Sequence, residues 1–278
     1  MKSSPPTPER VTAPFGARTV VISAREQYGA YVVLSCSDPN GPCPQPGQFY
    51  MLMAAARWGG GAAERPFLPR AFSVLRCRPG AETELEFLLE DVGPGTNRLC
   101  ELTAGDGLSL VGPLGHGFSA PGDGRRALLV GGGVGIAPLA IWQDQLGAGT
   151  TALLGFRDAA HAAGARLLRD ARVATEDGSH GHHGLVTELL ADELDDDDRA
   201  TVYACGPPAM LEAVRLLCAM REIPAQLALE SGMACGFGAC FGCVVETDRG
   251  YVRLCLEGPV LAAEQLSPGA LAHAGPKP

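Results

Sequence analysis

The chain has 278 residues, 46% of them apolar and 19% charged, with a net charge of −9. That length predicts about two domains of ordinary globular composition, and the acidic balance argues against a nucleic-acid or anionic-membrane partner. No apolar run reaches the ~20 residues a membrane helix needs, and Met1–Pro8 lacks a signal peptide's apolar core, so a cytoplasmic location and a disordered lead over residues 1–14 are expected.

From Arg18 to Val111 the pattern predicts short strands. Thr19–Ile22 and Tyr31–Leu34 are β-branched runs split by Tyr28-Gly29. Gln48–Met53 follows the Pro46-Gly47 turn, and Ala71–Leu75, Glu84–Leu89 and Leu108–Val111 complete the set. Such spacing with Gly/Pro turns argues for a small antiparallel barrel or sandwich. Ala54–Pro69, rich in Gly and Ala, reads as a long loop.

Two stretches here carry candidate chemistry. In Pro69-Arg70-Ala71-Phe72-Ser73, an arginine opening a strand can pair with a phosphate, Phe72 shares its face, and Ser73 offers a hydroxyl. The plainer reading is an exposed arginine beside a core phenylalanine. Gly93-Pro94-Gly95-Thr96 runs into a helical stretch and can present N–H groups to a pyrophosphate, or can be an ordinary turn with Thr96 as cap.

Ala127–Val130 is a continuous apolar run, as in a buried parallel strand. It leads into Gly131-Gly132-Gly133-Val134-Gly135 and a helix over Leu139–Leu146, with Pro138 in its first turn. Strand, glycine loop and helix form a phosphate-cradling context, although the spacing is not the usual dinucleotide fingerprint. Alternation continues with strands at Thr151–Phe156, Ala171–Thr175 and Thr201–Cys205, and helices at Ala159–Asp170, Leu185–Leu190 and Ala209–Arg221. That order implies a mostly parallel sheet. Ligands bind such sheets at the strands' carboxyl ends, where Gly131–Pro138 and Cys205-Gly206-Pro207-Pro208 lie. His180, His182 and His183 read as a polar loop tip.

Near the C-terminus comes Cys235-x4-Cys240-x2-Cys243, with Cys255 after eleven intervening residues. The spacing matches the start of the plant-type iron–sulfur pattern, and the interspersed glycines permit a tight loop with N–H groups turned to anionic sulfur. A four-cysteine zinc site is the alternative, although zinc motifs usually pair their cysteines as C-x2-C units.

The ordered set of motifs resembles the ferredoxin–NADP reductase superfamily and, within it, the electron-transfer subunits of class 1B (NAD-dependent) dihydroorotate dehydrogenase. The resemblance runs from about Arg18 to Pro259. It rests on Arg70–Ser73, Gly93–Leu99, Gly112-Pro113-Leu114-Gly115-His116-Gly117-Phe118, Gly131–Leu139, Cys205–Met210, Glu230–Cys243 and Cys255–Val260. It implies a β-barrel plus α/β architecture: an antiparallel FAD-binding barrel over 15–120, a parallel-sheet NAD-binding domain over 121–226, and a small [2Fe–2S] domain with tail over 227–278.

The resemblance also implies roles. Arg70 would hold the FAD pyrophosphate with Ala71, Phe72 and Ser73 beside the flavin. Leu88, Leu89 and Glu90 would lie by the adenosine ribose, and Gly95 and Thr96 by the pyrophosphate. Gly131, Gly132, Gly133, Val134, Gly135, Cys205 and Gly206 would surround NAD, and Cys235, Cys240, Cys243 and Cys255 would ligate the cluster. Ala71, Phe72 and His116 depart from the commoner Pro, Tyr or aliphatic, and Asn, and the gap from Cys243 to Cys255 is short.

The implied function is electron transfer from a partner through [2Fe–2S] and FAD to NAD+, the partner being a TIM-barrel FMN subunit that oxidises dihydroorotate, two copies of each. The alternatives are a homologous subunit of a sulfide dehydrogenase or ferredoxin–NADP reductase, and a redox-inert zinc-binding regulatory module. After the second strand of the sheet, Arg157 and Asp158 stand side by side. An acid there favours NAD and an arginine NADP, and the resemblance favours NAD.

Overall fold

The structure, a computed structural model, describes residues 17–39, 41–59, 66–80 and 82–272. The expected lead over 1–14, and part of the loop before Pro69, lie outside them.

Six antiparallel strands close a barrel: β1 (Arg18–Tyr28), β2 (Tyr31–Asp38), β3 (Phe49–Ala54), β4 (Arg70–Arg78), β5 (Thr83–Glu90) and β6 (Gly107–Leu114), in the order β1-β2-β5-β4-β3-β6. Closure leaves no free sheet edge. Alternate residues point inward, so Val20, Ile22, Leu34, Leu52, Leu85 and Leu89 fill the interior. Between β5 and β6, helix α1 (Pro94–Cys100) adds Leu99 to that core. At the barrel wall, Asp38 is buried and receives Arg18 Nε at 2.8 Å.

The second layer follows in chain order as β7 (Arg126–Gly132), a 3₁₀ turn at Gly133–Ile136, α2 (Ala137–Leu146), β8 (Thr150–Phe156), α3 (Ala159–Ala162), β9 (Ala171–Thr175), β10 (His182–His183), α4 (Val186–Asp196), β11 (Ala200–Cys205), α5 (Pro208–Met220) and β12 (Ala225–Ala228). A hairpin, β13 (Val244–Thr247) and β14 (Gly250–Arg253), precedes β15 (Val260–Ala262). The large sheet runs β10-β9-β8-β7-β11-β12-β15, parallel except for β15.

Helix α2 is buried from Ala137 through Gln143 because it lies between the sheet and the barrel, and Ile141 joins the barrel core. Its buried amide is satisfied: Gln143 donates to the Arg169 carbonyl at 3.0 Å and accepts from the Arg169 N–H at 2.8 Å. Trp142 from α2 packs with Phe118 and Tyr203.

Three sequence expectations change. The helix expected over Ala159–Asp170 is a single α-turn continued by a 3₁₀ stretch at Ala163–Leu167. Gly164 sits so close to Tyr31 that a Cβ would meet its ring at 2.9 Å, and this contact draws the segment onto the barrel. The helix expected over Leu185–Leu190 continues to Asp196, taking in part of the acidic run that follows. The histidine loop contributes a two-residue edge strand, with His182 Nε2 2.6 Å from Glu188. Among the described residues, no helix is long and apolar enough to cross a membrane.

Candidate functional site

Two neighbouring cavities, each of about 500 Å³, open between barrel and sheet and share Glu90 and Val92. On the barrel side, the wall is built from β4 and the end of β5. Arg70, Ala71, Phe72, Ser73, Leu88, Glu90 and Thr96 all face this space, as does Val134 from the glycine loop. Leu89 does not, because its alternate position turns it into the barrel core.

Arg70 lies over the first turn of α1, where a Cβ on Gly95 would come 2.6 Å from its Nε. Only glycine leaves room for the guanidinium there. Among the described residues Arg70 has no carboxylate partner; it donates to the Leu68 carbonyl at 2.6 Å and lies 5.9 Å from the Trp58 ring centre. Thr96 is not the cap the plainer reading expected. Gly93 holds that position, and the Thr96 hydroxyl accepts from the N–H groups of Val92 and Gly93 at 2.9 and 3.0 Å.

Residues that the sequence reading passed over as lining complete this cavity: Leu229, Ser231, Gly232, Met233 and Pro259, with Glu230 among them. Glu230 opens onto the cavity, yet the packing around its carboxyl raises its pKa by desolvation.

The second cavity lies at the carboxyl ends of β7 and β8. Gly132 and Gly133 line it, with Gly155, Phe156 and Arg157 beyond them and Pro207 and Met210 opposite. Gly131, Gly135, Cys205 and Gly206 shape its floor instead. A Cβ on Gly135 would meet the Cys205 carbonyl oxygen at 2.4 Å, and one on Gly206 the Met210 methyl at 2.7 Å. Burial pushes the Cys205 thiol well up, so it stays protonated.

The barrel also contributes to this cavity. Tyr31 is fully buried, and its hydroxyl has no hydrogen-bond partner among the described residues. Glu90 accepts from Arg157 Nη2. His161 lies edge-on to Tyr31, ring centres 5.6 Å apart, with its Nδ1 2.6 Å from Asp158. A buried hydroxyl without a partner is costly, and beside a glycine-floored cavity it marks a place for a polar ligand.

The cysteines cluster at the far side of the barrel-side cavity. The loop needs positive φ at Gly236 (78°) and Gly238 (84°), which glycine adopts freely, and accepts it at Phe241 (58°), whose ring lies under Arg253 at 5.0 Å. The thiols influence one another, Cys235 with Cys240, Cys243 with Cys255, and Cys235 with Cys255. Burial alone would raise Cys235, but the N–H groups of Cys240, Phe237 and Ala239 and the Cys240 thiol bring it down to about 7. The Cys255 thiol brings Cys243 down to about 6 against burial, and Cys255 is raised in turn, so the pair shares a proton. Among the described residues, no three Cys, His, Asp or Glu side chains converge as ligands to one ion. The lowered pKa values of Cys235 and Cys243 favour the thiolate form that metal ligation needs.

A closed antiparallel barrel beside a parallel sheet, with a cleft between them and a cysteine-rich C-terminal loop, defines an oxidoreductase of the ferredoxin–NADP reductase fold. Over 93% of the chain it superposes on the NADH-dependent reduced ferredoxin–NADP oxidoreductase, covering 94% of that chain, with a TM-score of 0.76 at 24% identity. A ferredoxin–NADP+ reductase from Neisseria gonorrhoeae, solved with bound FAD and NADP, matches 74% of the chain and 91% of its own, with a TM-score of 0.59 at 18% identity.

Residues 156–216 match the oxidoreductase NAD-binding domain, and residues 230–267 the iron–sulfur cluster binding domain of dihydroorotate dehydrogenase B. The electron transfer subunit of dihydroorotate dehydrogenase B (NAD(+)) from Caldanaerobacter subterraneus subsp. tengcongensis is 38% identical over 82% of this chain and 89% of its own. The chain belongs to this family of electron transfer subunits.

Proposed function

We propose that this chain carries electrons between a [2Fe–2S] cluster on Cys235, Cys240, Cys243 and Cys255, FAD in the barrel-side cavity, and NAD in the sheet-side cavity. One observation carries the reading: the three sites are contiguous. Glu90 and Val92 wall both cavities, and the strip Leu229–Met233 that walls the first ends two residues before Cys235. The same reading divides the chain into a FAD barrel over 15–120, an NAD domain over 121–226 and a cluster segment over 227–278. Strand β12, which crosses that last boundary, and β15 tie the segment into the large sheet.

When bound, flavin converts two-electron hydride chemistry into the single-electron steps that an iron–sulfur cluster accepts. The chain's residues bind and orient. Arg70, held at the α1 terminus by the Gly95 gap, supplies charge for a pyrophosphate. Phe72 and Ser73 face the same space. Gly132 and Gly133 let a second pyrophosphate approach the backbone ahead of α2, and the Tyr31 hydroxyl supplies a hydrogen-bonding group beside them.

The relatives' role as electron transfer subunits supports a catalytic partner. We infer the FMN-containing TIM-barrel subunit that oxidises dihydroorotate, in a complex of two copies of each. The test is anaerobic purification with the co-expressed partner, then an absorption spectrum, iron and sulfide analysis, and a dihydroorotate–NAD+ assay. Flavin and cluster absorption with NAD+ reduction supports the reading. A colourless protein holding one zinc overturns it in favour of a zinc-binding module, and activity with sulfide or ferredoxin in place of dihydroorotate assigns the chain to another complex.

A further inference from the structure

We propose that Glu90, at the end of the barrel strand β5, sets the choice between NAD and NADP by occupying Arg157. The inference rests on the sheet-side cavity being the nucleotide site.

In a parallel nucleotide-binding sheet, the residues just after the second strand face the adenosine ribose. An acid there suits the free 2′-hydroxyl of NAD, and an arginine suits the 2′-phosphate of NADP. Here that position offers both, Arg157 and Asp158, directly after β8. The structure shows that neither is uncommitted. Asp158 caps α3, accepting the His161 N–H at 3.0 Å, and also lies 2.6 Å from the His161 ring. Arg157 donates through Nη2 to Glu90 Oε1 and through Nε to His161 Nε2 at 2.9 Å.

The pairing is asymmetric. Glu90 is anchored in the β2–β5 ladder, where it pairs with Tyr31, and its side chain is 17% exposed, against 59% for Arg157. The mostly buried carboxylate therefore positions the exposed guanidinium. A 2′-phosphate arriving here meets an arginine already neutralised, with Glu90 and Glu176 both on the cavity wall. It must either displace a carboxylate or lose hydration without compensation. A ribose hydroxyl faces no such penalty and finds carboxylate oxygens as acceptors. Glu90 acts through Arg157, as a positioning residue for specificity.

The test measures binding, not turnover. ADP-ribose and 2′-phospho-ADP-ribose are titrated calorimetrically into the purified full-length holoprotein. Wild type is expected to prefer ADP-ribose. Glu90→Gln, which keeps the shape and removes the charge, should shift the ratio of the two Kd values about tenfold toward the phosphorylated ligand. Adding Arg157→Gln should return the ratio to the wild-type value. Arg157→Gln alone removes the charge that neutralises Glu90, so it should keep the preference for ADP-ribose or strengthen it. An unchanged ratio in Glu90→Gln, or a double variant that keeps the shifted ratio of Glu90→Gln, overturns the proposal. If wild type binds neither ligand, the nucleotide-site reading itself fails, a result distinct from both.

Discussion

Gly135 is the sharpest test of how the nucleotide floor is built. A Cβ there would lie 2.4 Å from the Cys205 carbonyl oxygen, 2.6 Å from its carbon and 2.6 Å from the Gly206 nitrogen. Ordinary contact begins near 3.4 Å, so the two segments must part by roughly 1 Å. Neither side yields easily. Cys205 is held in the ladder on both flanks, opposite Gly131 on β7 and Ala228 on β12. Gly135 sits in the turn that leads into α2, which is buried from Ala137 through Gln143. Overpacking of this kind costs about 1–3 kcal/mol, which for a chain of this size lowers Tm by roughly 3–10 °C. Gly135→Ala should therefore melt earlier by circular dichroism and bind ADP-ribose more weakly. Gly122→Ala is the control, since its Cβ would have only the Arg125 Cδ at 3.8 Å. If Gly135→Ala melts with the control and binds as wild type, the close approach of glycine loop and β11 turn does not govern the site.

Arg18→Met leaves the buried Asp38 without its counter-charge and should cost about 3–5 kcal/mol in denaturant unfolding; a loss within the surface-pair range of about 1 kcal/mol would refute it. Desolvation raises the folded-state pKa of Glu230 above 4.5. The folded form then holds its proton longer than the unfolded chain, so stability falls as pH rises from 4.5 toward the folded value. Glu230→Gln should flatten that decline in a series of Tm measurements from acid to neutral pH, and an unchanged slope would show that Glu230 does not cause it. Phe241 is 63% exposed beside Cys240. Phe241→Glu should weaken assembly with the partner in size-exclusion chromatography while flavin absorbance stays; unchanged assembly places the docking face elsewhere.

What could be read from the sequence depended on whether a feature was local. The barrel strands were legible because β-branched runs and Gly/Pro turns are local signals. The glycine loop and the cysteine spacing were legible for the same reason. The segment after Ala159 was misread because Gly164 answers to Tyr31, a residue from another layer. β12 and β15 were missed altogether. They are four and three residues long, and each becomes a strand only by pairing with a distant partner. The site divides in the same way. Arg157 and Asp158 could be named as adjacent and opposed, but the outcome depends on Glu90, 67 positions earlier. Tyr31 looked like any core aromatic, and only the position of its unpartnered hydroxyl beside the cavity, visible in three dimensions, sets it apart.

The cysteine loop has two unlike faces, and the difference bears on its role. Cys243 and Cys255 are 2% and 1% exposed and share one apolar core with Phe49, Met51 and Leu114 of the barrel and Leu227 and Leu261 of the sheet. Gly236 presses on Met51 so closely that a Cβ would sit 2.4 Å from its side chain. On this inner face the loop cannot move without opening the core, and close packing makes that costly. The spacing between the cysteines and the barrel-side cavity is therefore fixed by the same contacts that stabilise the fold. On the outer face, Cys240, Phe241 and Tyr251 are exposed. A loop built only to stabilise the chain would gain by burying those aromatic rings. A loop that passes electrons inward at a constant distance, and receives them from another protein, needs a rigid inner side and an open outer one.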